Sequence, residues 1–473
     1  MSQDYKINTN VSFSRLAKII NAETNFNHNG FASTICLDSR NIEVGDVFVA
    51  ILGEESDGHQ FVDHAIKNGA IACIISDKKK FNENKYPFLL VEDTYEALRD
   101  ISDHLTKKNN ALRIAITGSV GKTTTKNYLH SILKRYGKTV SSPQSFNNYL
   151  GVILSRSKVE KDTDYAIFEV GMNRKNEISK LSHLINPNIA IITNIGEAHI
   201  GNLGSKENIA IEKTKIMDGM DKEGLVIIPH DSEFYNLLIN SVKQKKLAYI
   251  TFGKNIKADI NISKIKRTAY ISKIYFNIYG KRYTFETELQ NLNLIDNYMP
   301  ILAVASHYNF NLDEVLKHLG SVEQGDGRWK EIVFKKNTGV VTLVDDSYNA
   351  SPTSVMAAIE SIDKYSNPSI KRKIIILGDM LELGDLKDGY HSQLIEFINK
   401  TSIDEVYLCG AIMKSHFENI KMQKKRKWFD AVESISINDD FDLKAGDLIL
   451  LKGGNKIKLS KLVKEFINHL KIQ

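Results

Sequence analysis

From Arg113 onward the chain alternates short β-branched apolar runs with stretches whose apolar residues recur at helical spacing. "RIAIT", "DYAIFEV", "NIAIITNI" and "GLVIIP" have the length and composition of buried strands, and "KTTTKNYLHSILKRY" and "NEISKLSHLI" read as the helices between them. That alternation predicts a parallel sheet with helices over its faces. Over Asp259 to Leu289, "DINISKIKRTAYISKIYFNIYGKRYTFETEL", polar and apolar residues nearly alternate around a "YGK" turn, which predicts an antiparallel meander. "NYMPILAVASHYNF" then reads as helix. Beyond the polar "VEQGDGRWKE" the alternation resumes, with "GVVTLVDD", "KRKIIILGDM", "DEVYLCG" and "DLILLKGG" as strands and "SVMAAIESIDKY" and "LSKLVKEFINHL" as helices. Each of these strands ends in polar or glycine residues, where open parallel sheets hold ligands.

Before Arg113 lies a unit of about a hundred residues containing "LDSRNIEVGDVFVAILGEESDGHQFVDHAIKNGA". The expected fold class is α/β in three domains. These are an N-terminal α/β domain over 1–110, a central parallel-sheet domain with the meander over 111–325, and a C-terminal Rossmann-like α/β domain over 326–473. A length of 473 residues fits, since domains run to roughly 100–200 residues each.

The junction "ITGSVGKTTT" joins strand to helix through Gly118, Ser119, Val120 and Gly121, and Lys122 and Thr123 open the helix. Glycines let backbone N–H groups wrap round phosphates, and the helix N-terminus adds a favourable dipole. The lysine reaches the β- and γ-phosphates, and the threonine hydroxyl can ligate Mg2+. Ile116 stands where the generic G-x-x-x-x-G-K-[ST] pattern has its first glycine, but the strand before and helix after are those of a P-loop for ATP or GTP.

Composition narrows the class. With 42% hydrophobic and 25% charged residues, and no apolar run near the roughly 20 residues of a membrane span, the chain reads as soluble, without stable membrane insertion. "MSQDYKINTNVSFSRL" has no apolar core of a secretion signal, so a cytoplasmic address is expected. Cys36, Cys73 and Cys409 sit in unrelated apolar stretches and read as core residues. The net charge of +6 comes from lysines spread along the chain, a pattern of solvated surface, and no nucleic-acid partner is expected.

The loop "ITGSVGKTTTK" resembles the T-G-x-x-G-K-T-T loop of the Mur ligases, ATP-dependent amide-forming enzymes of bacterial cell-wall precursor synthesis. "SFNNYLGV", "FEVGMNRKNEI", "TNIGEAHIGNLGSKENIAIEKTKI", "GDGRW", "DDSYNASP" and "LGDMLELGD" follow in the order of the members that add D-alanyl-D-alanine to UDP-N-acetylmuramoyl-tripeptide. The N-terminal "DSR", "GDVFVAILGE" and "DGHQF" look like the UDP-sugar-binding domain of those members. The resemblance implies a monomer that uses ATP and two Mg2+ ions to form an acyl phosphate, which the dipeptide amine attacks, in the cytoplasmic stage of peptidoglycan synthesis. Three alternatives stand beside it. The third-amino-acid-adding ligase carries a D-N-P-R type signature where "GDMLELGD" stands here, folylpolyglutamate synthases lack the N-terminal unit, and a P-loop regulator would bind nucleotide without ligation.

The resemblance also distributes roles. Gly118 to Thr124 (Gly118, Ser119, Val120, Gly121, Lys122, Thr123, Thr124) would hold ATP. Glu169, at a strand end, reads by itself as a solvated or capping residue and by resemblance as a Mg2+ ligand with Thr123. His199 reads as a polar loop residue or, by resemblance, as a metal or substrate contact. Lys213 reads on composition as an ordinary helix-surface lysine. It matches the lysine that relatives carbamylate into a metal ligand, with Lys215 as the other possible counterpart. Asn297 resembles a nucleotide-contacting asparagine, although Asp296 replaces the usual histidine, Pro300 replaces a second asparagine, and a capped helix start explains the same residues. Arg328 resembles the arginine that meets the γ-phosphate when domains close. Asp346 and Asn349 would meet the nucleotide from the C-terminal domain, unless the two adjacent acids simply cap the next helix. Asn147 and Asn148 match a loop contacting the muramoyl-peptide, or are plain turn formers. Ser39, Arg40 and His59 are candidates for the uridine diphosphate end, and Asp379 and Glu382 for the dipeptide ammonium.

Overall fold

The β-branched runs become the strands of three separate sheets, one in each third of the chain. The structure, a computed structural model, describes residues 2–26, 30–53, 56–77, 86–268, 271–288, 291–336 and 339–472. Ala269, Tyr270 and Leu289 of the expected meander, and Glu54 and Glu55 of the N-terminal stretch, lie outside the described residues.

The first sheet has six strands in the order Lys6–Ser12, Phe31–Cys36, Val47–Val49, Ala72–Ile75, Phe88–Leu90 and Glu23–Thr24. Its inner pairs are parallel and its two edge pairs antiparallel. The second has nine strands, in the order Lys281–Thr287, Ser272–Ile278, Ile260–Arg267, Ala248–Gly253, Leu225–Pro229, Ile189–Ile192, Leu112–Thr117, Tyr165–Glu169 and Thr139–Ser141. Ile260–Arg267, Ser272–Ile278 and Lys281–Thr287 form the antiparallel meander that near-alternation predicts. The third has six strands, parallel except for the Lys330–Lys336 edge. This is the three-domain α/β architecture expected from the periodicity.

In the middle sheet the runs "IAI", "AIF" and "IAII" are buried on both faces, as a parallel sheet between helix layers requires. Register then does the positioning. Ile116 lies opposite Glu169 and Ile192 opposite Thr117, so three strand ends open on one crevice. All three cysteines are buried and unpaired. No helix among the described residues is long and apolar enough to cross a membrane.

Candidate active site

The helix Lys122–Leu133 starts at Gly121, whose φ of +85° a residue with a side chain rarely adopts. A Cβ added at Gly118 would fall on the Thr193 hydroxyl, and one added at Gly121 on the Asn297 side chain. Segments distant in sequence hold the loop in place. Thr193 Oγ1 donates to the Val120 carbonyl at 2.6 Å, Ser119 N to the Asn194 carbonyl at 3.1 Å, and Val120 N to Asn194 Oδ1 at 2.8 Å. The Ser119 and Val120 amides are therefore spent within the protein. Asn194, which holds both amides, is a residue sequence reading missed. Lys122 Nζ, whose pKa burial lowers, donates to the Gly118 carbonyl at 2.7 Å.

Glu169 is 1% exposed and accepts from Thr123 Oγ1 at 2.6 Å and from Asn147 Nδ2 at 2.9 Å. It is not the solvated strand-end acid that composition alone allows. Lys126 Nζ lies 3.9 Å from it, with its pKa pushed down to about 8 by burial. Arg328 crosses from the C-terminal segment to donate to Ser145 Oγ at 3.0 Å, its guanidinium stacked 4.1 Å over the Tyr348 ring. Ser145 is in turn 3.4 Å from Thr123 Oγ1.

Lys213 is 2% exposed, so its reading as a surface lysine is wrong. Burial, with Lys122 nearby, holds its pKa well below the usual lysine value, and its Nζ makes no hydrogen bond or ion pair with the described residues. Lys215 instead points outward, paired with Glu212 at 2.7 Å and Asn176 at 2.6 Å. His199 Nδ1 lies 2.6 Å from Glu382 Oε2, a contact that lowers the Glu382 pKa, and Gly201 N donates to the Glu382 carbonyl at 3.0 Å. Asp346, its pKa raised by burial, accepts from Lys452 Nζ at 2.7 Å and Trp329 N at 3.2 Å.

The capping alternatives fail. Ser351 and Ser354 box the start of the Pro352–Asp363 helix, while Asp345 accepts from Gly327 N and Ser347. The helix Tyr298–His307 has no side-chain cap. Asp296 pairs with Lys254 at 3.0 Å, and Asn297 lies against Gly121.

One cleft of about 1390 Å3 gathers Ser119 to Thr124, Asn147, Asn148, Glu169, His199, Asn297, Arg328, Asp346, Asn349 and Glu382. That is more than the roughly 300–1,000 Å3 of a single small-ligand pocket, and fits a site for more than one substrate. Asn148 lines it while capping the Tyr149–Arg156 helix through Gly151 N at 2.8 Å.

Gly118, Lys213, Asp379, Ser39, Arg40 and His59 do not line the cleft. Asp379 accepts the Ile412 and Met413 amides at 3.1 and 2.8 Å, at the start of a helix. Both His59 ring nitrogens have partners, Asp57 and Ser76 N. Ser39 is buried beside His64 at 3.0 Å, and Arg40 is tied to Asp38 at 2.7 and 2.9 Å.

Mg2+ is commonly held by one or two carboxylates with phosphate oxygens completing its shell. Thr123 and Glu169 are such a set, and no cluster of three His, Cys, Asp or Glu converges among the described residues. Lys213 fits an ion only if it carries an anionic oxygen, because an ammonium repels a dication.

The turn that carries Glu382 depends on His391, whose Nε2 accepts from Met380 N at 3.1 Å while Nδ1 faces the Lys387 carbonyl at 2.7 Å. Burial lowers the His391 pKa, so the folded state holds the ring neutral. The sign follows from proton uptake by the unfolded chain. Its contribution to stability is complete above the unfolded value of about 6.5 and is lost as pH falls from there toward the lowered folded value. Denaturant unfolding across that window should show a slope that His391→Gln flattens; an unchanged slope would refute the assignment.

Three family models match the chain: "Mur ligase family, catalytic domain" over residues 32–106, "Mur ligase middle domain" over 116–305, and "Mur ligase, glutamate ligase domain" over 327–455. A UDP-N-acetylmuramoyl-tripeptide--D-alanyl-D-alanine ligase of Rickettsia prowazekii is 33% identical over 90% of this chain and 93% of its own. Among solved structures, MurF from Acinetobacter baumannii is similar with a TM-score of 0.83 and 25% identity, covering 97% of this chain and 99% of that one. MurF ligase from Thermotoga maritima in complex with ADP is similar with a TM-score of 0.78 and 26% identity, covering 92% of this chain and 97% of that one.

Proposed function

The chain belongs to the Mur ligase family, and from that premise we infer the reaction its cleft carries out. It is an ATP-dependent ligase that joins D-alanyl-D-alanine to UDP-N-acetylmuramoyl-tripeptide, a step of peptidoglycan precursor synthesis. The relatives that match over nine-tenths of the chain, its N-terminal unit included, act on that pair, which sets aside the folylpolyglutamate, third-residue and non-ligating alternatives.

The observation that carries the reading is the meeting of Arg328 with Ser145, beside Thr123 and Glu169. A cation from the C-terminal segment stands over the nucleotide loop of the central one. Transfer of the γ-phosphoryl to the tripeptide carboxylate gives an acyl phosphate, which the dipeptide amine attacks. Such a transfer asks mainly for positioning and charge neutralisation. In this reading Lys122 and Arg328 neutralise the transferring phosphoryl, and Gly121, Thr124 and Asn297 seat the nucleotide. Asp346 and Asn349 meet it from the opposite side, oriented by Lys452. Glu169 and Thr123 hold one Mg2+, and bound Mg2+ supplies further positive charge at the phosphate oxygens. Asn147 and Asn148 face the muramoyl-peptide. Glu382 takes the dipeptide ammonium once it leaves His199. Ser39 and Arg40 lie in the unit, 1–110, assigned to the UDP-sugar, with 111–325 for ATP and 326–473 for the dipeptide.

Lys213 is the residue to carry a carbamate. A neutral amine adds CO2 to give N–CO2− and a proton, and a lowered pKa leaves more of that amine than an ordinary lysine would have. The anion would sit near Lys122 and offer oxygen to a second Mg2+ with His199. We place the enzyme in the cytoplasm as a monomer.

The test is phosphate release from Mg-ATP with UDP-N-acetylmuramoyl-tripeptide, with and without D-alanyl-D-alanine. Release should need both, and the product should be heavier than the tripeptide substrate by the dipeptide less water. Release without either substrate would end the reading.

A further inference from the structure

Lys126 has no role in the mechanism above, yet it is 2% exposed and sits one helical turn beyond Lys122 on the loop helix. Its Nζ donates to the Ser142 carbonyl at 2.7 Å and to the Gln144 carbonyl, in addition to lying 3.9 Å from Glu169 Oε2. The segment it grips is the one that completes the phosphate end of the cleft. Ser142 Oγ accepts from Glu169 N at 3.2 Å, Ser145 meets Arg328 and Thr123, and Asn147 holds the other Glu169 oxygen. Gln144, between these residues, has a φ of +44°, which a side-chain-bearing residue adopts only when its surroundings hold it there.

Lys424 provides an internal contrast. It too is buried, 6% exposed, and donates to two carbonyls, those of Thr401 and Ile403, but it lies away from the cleft and near no metal-binding carboxylate. Lysine can therefore serve this protein as a plain strut. What distinguishes Lys126 is that its strut ends on the segment supporting Glu169, Ser145 and Asn147, with its charge beside Glu169.

We propose that Lys126 is a positioning residue for the metal-bearing phosphate end of the site, fixing Ser142 to Asn147 so that Glu169, Thr123 and Arg328 face one point. This rests on the Mg-ATP ligase reading, and binding of Mg-ADP tests it without turnover. Titration calorimetry would compare ADP with and without Mg2+ on the full-length wild type, Lys126→Met and Lys424→Met. The expected result is a loss of about tenfold or more in Mg-ADP affinity for Lys126→Met, the size of one buried charge-assisted contact. Metal-free ADP should lose less, and Lys424→Met should bind as the wild type does.

Lys126→Gln keeps a donor for the carbonyls and drops the charge, and whichever of the two Lys126 variants folds decides the matter. A folded variant with wild-type Mg-ADP affinity overturns the proposal, as does an equal loss with and without Mg2+. A wild type that binds no Mg-ADP would bring down the ligase reading itself, and this one with it.

Discussion

Glu169→Gln is expected to fold close to wild-type stability and to lose about a hundred- to a thousandfold in kcat/KM, the usual size when one preorganised electrostatic group is removed from a transferring centre. The fold should hold because glutamine keeps the volume and the bonding. Its oxygen can accept from Asn147, and its amide can donate to Thr123 Oγ1 once that hydroxyl rotates. What is lost is the charge. Glu169 raises the pKa of both Lys122 and Lys126, whereas Arg328 lowers both. Without the carboxylate those cations are opposed only by Glu382, which acts on Lys122, and the oxygen best suited to Mg2+ becomes neutral. The loss should therefore come with a higher Mg2+ concentration for half-maximal rate, while the KM for D-alanyl-D-alanine changes little. Steady-state kinetics over a Mg2+ series would decide it. An unchanged Mg2+ requirement would mean that Glu169 is only a structural acceptor for Thr123 and Asn147.

The parts legible in the sequence were those set by local periodicity. Apolar runs of strand length between amphipathic stretches fixed the parallel sheets, and near-alternation fixed the meander. Glu169 could be placed beside the loop because a strand end in a parallel sheet has few positions open to it, and register puts it opposite Ile116. What was not legible depends on bonds between distant segments. Asn194 takes the Val120 amide from 74 residues away, and Lys126 takes carbonyls 16 and 18 residues on. Neither leaves a trace in any local pattern. His59 and Asp379 also accept backbone amides, a structural part that their residue types do not announce. Lys213 misled for a different reason. Its helix, Lys206–Thr214, buries Glu212 and Lys213 together with Ile209 and Ala210, so the inward face carries charge and composition points the wrong way.

That inward charge makes Lys213→Met the substitution whose effects on stability and activity should have opposite signs. Methionine has nearly the length of lysine and no polar end, so in enzyme that carries no CO2 the amine of this buried lysine, which makes no hydrogen bond with the described residues, is replaced by apolar packing. Leaving a polar group buried without a partner costs about 1–3 kcal/mol, and a gain of that order is expected near neutral pH. The sign with pH is fixed. The folded-state pKa lies below the unfolded one, so the penalty on the wild type is present at neutral pH and fades as pH rises toward the unfolded value of about 10.4. The advantage of the variant should shrink over the same range. Activity should fall by about a hundredfold or more, because no amine remains to take up CO2 and no oxygen to face the second Mg2+. Lys213→Ala opens space where the amine stood, and a small carboxylic acid added to it should restore part of the rate; the filled methionine site should not respond. Denaturant unfolding and ligation assays on the two variants separate the possibilities. A methionine variant both more stable and inactive marks a lysine retained for chemistry at the expense of the fold, whereas one that is less stable yet active would return Lys213 to an ordinary packing role.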